Sequence, residues 1–138
     1  GNIYAKRDWS DAEDFMEGIW KMLNNKKPKE YVLSSGKTNT IKEFIKQAFS
    51  IGNIEGTWIN ETDDNLNEKF YINVNNKKII AVNINKQFYR PAEVDLLVGD
   101  STLAKKELNW EPKTNFKDLI KKMVLYDYNK LIYFDRKR

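Results

Sequence analysis

Residues 88–100 read Phe-Tyr-Arg-Pro-Ala-Glu-Val-Asp-Leu-Leu-Val-Gly-Asp, an arginine, a proline and two acids ahead of an apolar run. Arg90 presents a planar fork of donors that suits phosphate oxygens. Pro91 fixes its own φ and biases Arg90 toward extended backbone, so that Glu93 can lie close by and accept hydrogen bonds from hydroxyls. This pairing suits a nucleotide. On spacing alone, the alternative is a loop ion pair between Arg90 and either Glu93 or Asp95.

Three further segments belong with residues 90–100, two of them earlier in the chain and one later. Residues 1–9 read GNIYAKRDW, residues 43–49 read EFIKQAF, and residues 104–113 read AKKELNWEPK. With residues 90–100, these segments resemble GDP-mannose 4,6-dehydratases, which are NADP-dependent members of the extended short-chain dehydrogenase group. In that family the first segment reads Gly-Asn-Leu-Asp-Ala-Lys-Arg-Asp-Trp. The matches keep their order from residue 1 to about residue 125.

The resemblance implies substrate-binding roles for five residues: Arg7, Arg90, Glu93, Lys6 and Asn2. The two arginines would contact the diphosphate of GDP-mannose, and Glu93 would accept hydrogen bonds from the ribose hydroxyls. Lys6 and Asn2 would lie near the same pocket. The alternative for Arg7 is a salt bridge to Asp8 or Asp11 at the start of the first helix.

The fold that the resemblance implies is α/β. It is the small C-terminal substrate domain of an extended short-chain dehydrogenase, a mixed sheet plus helices, with the Rossmann half absent. We expect residues 1–128 to bind the nucleotide sugar and residues 129–138 to form a C-terminal tail. Because the chain begins abruptly inside the resemblance, we expect it to be a fragment.

Local signals predict the elements of this fold. Capping boxes at Ser10–Glu13 and Thr40–Glu43 predict two helices. Asp100 is expected to cap a helix that ends at Asn109 in a left-handed conformation, and Asn115 opens a last helix. We expect strands at 30–34, 57–59, 69–74 and 78–84, with the last two joined around Asn75-Asn76-Lys77, and a polar surface loop at 60–67. Trp110 is expected in the core.

The cofactor and catalytic signatures of the family are missing. No Gly-x-x-Gly-x-x-Gly turn is present to seat a pyrophosphate at a helix N-terminus, and Tyr126 with Lys130 fits the Tyr-x-x-x-Lys spacing. That pair lies after the last core helix, where the catalytic pair does not belong, so we interpret it as chance. We therefore predict no catalytic and no cofactor-binding residue here. NADP would belong to the parent enzyme, and the chain alone would be inactive.

Composition narrows the remaining classes of function. The 138 residues contain no cysteine and no histidine, which excludes disulfides, thiolate zinc sites and the commonest general base. Asp63 and Asp64 read as a solvated loop, so no metal site is predicted. The net charge of +4 comes mostly from lysines interleaved with acids, so we expect no nucleic-acid partner. No apolar run approaches the ~20 residues of a membrane span, and we expect a cytoplasmic protein.

The resemblance implies the expected function. We expect the chain to be the GDP-binding C-terminal part of a lyase of GDP-fucose biosynthesis, an enzyme that converts GDP-mannose to GDP-4-keto-6-deoxymannose. It would form homo-oligomers, because part of its sheet would lack neighbours. Two alternatives remain at this point. One is the same domain of another nucleotide-sugar dehydratase or epimerase, and the other is a non-catalytic nucleotide-binding or adaptor module.

Overall fold

Two units make up the computed structural model, which describes residues 1–60, 65–90, 92 and 94–135. The first unit takes its described residues from 1–5, 40–95 and 120–138, and the second comprises 6–39 and 96–119. The elements in chain order are β1 (Lys6–Asp8), α1 (Ala12–Leu23), β2 (Thr38–Thr40), α2 (Ile41–Ile51), β3 (Gly56–Asn60), β4 (Glu68–Val74), β5 (Lys77–Asn83), β6 (Leu96–Leu97), α3 (Thr102–Leu108) and α4 (Phe116–Asp135). Single 3-10 turns lie at Asn65–Asn67 and Lys86–Phe88. Within the described residues, no helix is both long and apolar enough to cross a bilayer.

The first unit contains an antiparallel sheet in the order β3-β4-β5. The predicted hairpin is confirmed: Val74 pairs with Lys77 across a two-residue turn, and Asn75 and Asn76 have φ values of 49° and 61°. Asparagine tolerates these left-handed conformations, which match the twist of the flanking strands. The predicted strand at 57–59 is likewise confirmed within β3.

The core of the first unit is built on Phe70, whose side chain is fully buried. Its ring centroid lies 4.9 Å from that of Phe49 in α2 and 5.2 Å from that of Trp58 in β3. The capping box predicted for α2 is confirmed. The Thr40 hydroxyl accepts from the Glu43 backbone N–H at 3.1 Å, and the Glu43 carboxylate accepts from the Thr40 N–H at 2.7 Å.

The second unit contains a three-stranded sheet in the order β2-β1-β6, in which β1 and β6 are parallel and Arg7 is aligned with Leu97. The strand predicted at 30–34 is wrong, because these residues form no strand. Tyr31, Val32 and Leu33 have high strand propensity, but propensity reports how side chains fit a pleated surface and does not supply a hydrogen-bonded neighbour. The short β2 and β6 were not predicted.

Trp110 forms the core of the second unit, as predicted. It is 1% exposed, its Nε1–H donates to the Asp14 carbonyl at 2.8 Å, and its ring centroid lies 6.3 Å from that of Phe15. Gly18 makes room for it, because a Cβ at that position would lie 3.0 Å from Trp110 Nε1 and 2.7 Å from a methyl of Leu33.

Helix caps explain where these helices begin and end. Asp11, not the predicted Ser10, is the N-cap of α1, and its carboxylate accepts from Glu13 N at 2.9 Å; a negative charge suits the positive end of a helix. Ser101, not the predicted Asp100, is the N-cap of α3, although Asp100 Oδ1 still accepts from Thr102 N at 2.9 Å. Asn109 ends α3 in the predicted left-handed conformation, with φ of 48°.

The last helix opens as predicted, because Asn115 Oδ1 accepts from Asp118 N at 3.0 Å. It continues to Asp135, so the expected boundary at residue 128 falls inside it, and the division into a domain and a tail stays a prediction. Of the predicted surface loop, Asn60 ends β3 and 65–67 form a 3-10 turn. Asp63 and Asp64 lie outside the described residues.

Candidate functional site

A cleft of about 380 Å³ lies in the first unit and collects two of the predicted site residues, Asn2 and Arg90. Its apolar wall comes from Ile41 and Ile45 of α2 together with Ile84, which follows β5. Phe88, 67% exposed, lines the same cleft. The cleft therefore offers an apolar surface for a flat ring together with an amide and a guanidinium for polar groups.

The N-terminal side of this cleft is held by two hydrogen bonds. Asn2 Oδ1 accepts from Tyr4 N at 2.9 Å, which closes a tight local turn. The carbonyl of the buried Ile3 accepts from Lys42 N at 2.9 Å, which ties this segment to the first turn of α2. The position of Asn2 is thus fixed by its own bond to Tyr4 and by the anchored backbone of Ile3, which follows it.

Arg90 follows the 3-10 turn at 86–88, where Asn85 Oδ1 accepts from Gln87 N at 2.9 Å. Its side chain is exposed. Among the described residues, none makes a hydrogen bond or an ion pair with the Arg90 side chain, so the alternative pairing with Asp95 is not formed. Pro91 and Glu93 lie outside the described residues, and the ribose role of Glu93 stays a prediction. The guanidinium can therefore meet an anion without first breaking a pairing to Asp95.

Beside this cleft is a polar network that sequence reasoning missed. The Tyr4 hydroxyl donates to Glu68 Oε1, and Lys42 Nζ lies 2.7 Å from Glu68 Oε2 and 3.2 Å from the Tyr4 oxygen. Burial alone would raise the pKa of Glu68, but the hydrogen bonds from Lys42 and Tyr4 hold that pKa below its ordinary value. Glu68 thus supplies the carboxylate that both Lys42 and Tyr4 contact.

Arg7 and Lys6 lie in the second unit, on β1. Arg7 lines a cleft of about 420 Å³ together with Asp8, Ser34, Leu97 and Gly99, and its Nη1 donates to the Lys6 carbonyl at 2.9 Å. Lys6 is not among the residues that line this cleft. The structure thus places a guanidinium at a concave surface, as a phosphate contact requires, and gives no comparable place to Lys6.

Asp8 supplies a carboxylate to the Arg7 cleft, and this carboxylate accepts four hydrogen bonds. It accepts from the backbone N–H groups of Ser35, Gly36 and Gly99 at 2.9, 2.9 and 3.2 Å, and from Ser35 Oγ at 2.5 Å. Burial alone would raise the pKa of Asp8, but these hydrogen bonds bring it below the ordinary aspartate value. The sequence offered Asp8 only as a possible partner of Arg7, because donors 27 and 91 residues away leave no local signal.

In the part of the chain that is described, no group of three or more acidic side chains could hold a metal ion. Tyr126 and Lys130 both lie within α4, so the prediction that they follow the last helix is wrong. Neither residue is among those that line the two clefts.

The family model and the curated relatives that match this chain carry the same description. A family model described as GDP-mannose 4,6 dehydratase matches residues 1–123. The chain is 39% identical over 127 residues to the GDP-mannose 4,6 dehydratase of Drosophila melanogaster, covering 92% of this chain and 31% of that protein. It is 41% identical to that of Dictyostelium discoideum and 37% identical to that of Homo sapiens, again over 92% of this chain and 34% and 33% of theirs. The chain thus spans about a third of the length of these curated relatives.

Among solved structures, the chain resembles RMD from Pseudomonas aeruginosa complexed with NADPH. The TM-score is 0.65 at 18% sequence identity, over 94% of this chain and 34% of that one. At this identity the likeness concerns the fold alone, and it confirms the predicted α/β class. The predicted family resemblance is confirmed by the family model and the relatives.

Proposed function

Because the chain belongs to the GDP-mannose 4,6 dehydratase family, we propose that it binds the GDP portion of GDP-mannose within an NADP-dependent lyase that forms GDP-4-keto-6-deoxymannose. The observation that carries the proposal is the first-unit cleft, which joins an apolar wall to Asn2 and to the guanidinium of Arg90, to which no other described residue is hydrogen-bonded or ion-paired. Such a site supplies positioning, which lowers the entropy cost of the reaction.

Each group in the cleft has a distinct task. The isoleucines and Phe88 would cover the faces of the base, and Asn2 would donate or accept at a polar edge. Arg90 would hold two phosphate oxygens through parallel N–H donors, which a lysine cannot reproduce. Arg7, at its own cleft, is proposed as a further phosphate ligand, and Lys6 and Glu93 stay predictions.

The residues present do not fit NADP. The N-caps of α1, α2 and α3 are Asp11, Thr40 and Ser101, and none follows a turn with three glycines at the spacing that seats a pyrophosphate. We therefore assign no step of cofactor chemistry to this chain. NADP, a cytoplasmic location and the remaining segment of the enzyme stay parts of the proposal.

Titration calorimetry with GDP, UDP and guanosine tests the proposal. We expect saturable binding of GDP, weaker binding of UDP, and weaker binding of guanosine because it lacks the phosphates that Arg90 would hold. Equal weak heats for all three compounds would contradict a nucleotide-diphosphate site. Binding of GDP and UDP with equal affinity would favour a wider nucleotide-sugar specificity.

We expect the purified 138-residue chain to show no turnover of GDP-mannose and no binding of NADP. It carries neither a suitably placed Tyr-Lys pair nor the glycine turn. Product analysis by chromatography and NADPH fluorescence are the measurements. Turnover above that of a buffer control, carried through a second purification, would refute the assignment of the chain to positioning alone.

We also propose that the chain self-associates. In the described part of the first unit, β5 is an outer strand on which Ile79 and Ile80 are 45% and 48% exposed. Exposed apolar outer strands tend to pair with another chain. We expect dimers or larger species by light scattering, and a shift toward monomer in Ile80→Lys. A strictly monomeric wild-type chain at high concentration would contradict this.

A further inference from the structure

We propose that Asp8 is a positioning residue of the Arg7 cleft, whose carboxylate fixes the two backbone segments that wall it and so sets how Arg7 meets phosphate. The inference rests on the proposed nucleotide-binding function and extends it to a side chain to which the family resemblance gave no role. The groups that Asp8 contacts all lie within the second unit.

Both carboxylate oxygens of Asp8 are used, and they are used differently. Oδ1 accepts twice from Ser35, from its N–H at 2.9 Å and from its Oγ at 2.5 Å. Oδ2 accepts from Gly36 N at 2.9 Å and from Gly99 N at 3.2 Å. Only an ionised carboxylate can accept at both positions, since an amide turns one of them into a donor.

The two segments that Asp8 joins lie so close together that Gly99 has no room for a side chain. A Cβ on Gly99 would stand 2.4 Å from Ser34 Cβ and 2.7 Å from Ser34 Oγ. Gly36 has φ of 70°, a conformation that L side chains rarely adopt. Ser34 is 5% exposed and lines the cleft with Gly99. The walls are therefore closely packed, and Asp8 supplies hydrogen bonds to both of them.

Arg7 is tied to the same frame. Its backbone position is set by the parallel pairing of β1 with β6, where it is aligned with Leu97, and its Nη1 donates to the Lys6 carbonyl at 2.9 Å. Gly99 lies two residues beyond Leu97, so the Asp8–Gly99 bond continues the link between these strands. A bidentate contact from Arg7 to phosphate depends on orientation, which small displacements of this frame would spoil.

The test is Asp8→Asn, compared with wild type by calorimetry with GDP and with guanosine, well below the unfolding midpoint. The amide keeps the Oδ1 contacts and sets an NH2 group against the N–H groups of Gly36 and Gly99. We expect GDP affinity to fall about tenfold, guanosine affinity to stay unchanged, and the Ser35, Gly36 and Gly99 amide resonances to move. A merely stabilising role would lower the unfolding midpoint and leave the ratio of the two affinities unaltered.

Asp100→Asn is the matched control. Its Oδ1 accepts both contacts from Thr102, from N at 2.9 Å and Oγ at 2.5 Å, so the amide retains both, and Asp100 is not among the residues lining the cleft. We expect unchanged binding of both compounds. A fall in GDP affinity equal to that of Asp8→Asn would overturn the inference, because charge removal alone would then suffice.

Ser35→Ala is the milder variant should Asp8→Asn fail to fold. It removes the Oγ contact to Asp8 together with the two contacts of that oxygen to the Lys37 backbone, and we expect a twofold to threefold loss of GDP affinity, on the order of one weak hydrogen bond, again without an effect on guanosine. Unchanged GDP affinity in the folded variants, beside normal binding by the wild type, overturns the role of Asp8 alone. Absence of GDP binding by the wild type overturns the proposed function as well.

Discussion

Arg90→Lys lowers the affinity of the chain for GDP about tenfold or more and leaves the fold intact. The lysine keeps the positive charge but loses the planar fork that can hold two phosphate oxygens, and a hydrogen bond to a charged group contributes roughly 1.5–3 kcal/mol. Arg90 makes no hydrogen bond or ion pair with the other described residues, so its replacement removes no described contact. Calorimetric titration of GDP into both proteins measures the change.

Lys46→Ala is the control for charge at this site. Lys46 is an exposed residue of α2 in the same unit and is not among the residues that line the cleft. Lys46→Ala removes one positive charge, whereas Arg90→Lys keeps the charge. We expect Lys46→Ala to lower the affinity for GDP only slightly, and this difference to disappear at high salt. Equal affinities of Arg90→Lys and wild type, with both folded, would remove Arg90 from the site.

Trp110→Ala destabilises the second unit by about 3–5 kcal/mol, the range found when large buried aromatic side chains are truncated. The side chain is 1% exposed, and its loss also leaves the Asp14 carbonyl without the Nε1–H donor at 2.8 Å. Urea unfolding followed by far-ultraviolet circular dichroism measures the effect. Trp110→Phe keeps most of the apolar volume but not the donor, so we expect an intermediate loss.

Trp20→Ala is the matched substitution on the surface of the same unit. Trp20 is 64% exposed in α1, and surface changes away from special features usually stay within about 0.5 kcal/mol. Similar losses in Trp20→Ala and Trp110→Ala would contradict the assignment of Trp110 to the core.

Local chemistry made parts of this fold predictable. The Asn75–Asn76 turn, the Thr40–Glu43 capping box and the left-handed Asn109 each depend on neighbours within a few residues, and all three predictions are confirmed. The prediction of Ser10 as the cap of α1 was wrong, because the neighbouring Asp11 takes that position and both residue types cap helices well.

Features that depend on distant partners were missed. Residues 30–34 have strand-forming side chains but no ladder, and the Tyr4–Glu68 contact joins residues 64 positions apart. The four bonds to Asp8 come from two segments that only the folded topology brings together. A sequence shows which groups can accept hydrogen bonds but not which donors reach them.

For the candidate site, too, the structure decides points that the sequence left open. Spacing alone left Arg90 open to an ion pair with Asp95, and the structure shows no such pair among the described residues. The family resemblance implied one pocket for all five residues, and of these Asn2 and Arg90 line the first-unit cleft. It also named Arg7 and Lys6, which lie in the second unit, where only Arg7 lines the cleft described there.

Binding of GDP in the first-unit cleft can be followed residue by residue when GDP is titrated into the isotope-labelled chain and two-dimensional NMR spectra are recorded. We expect saturable shifts at Asn2, Ile84 and Phe88 and at the side-chain Nε of Arg90, all of which line that cleft, with smaller shifts for guanosine at Arg90. Resonances that stay unmoved at these four residues while the chain is folded, or shifts confined to the exposed lysines of α4, would contradict it.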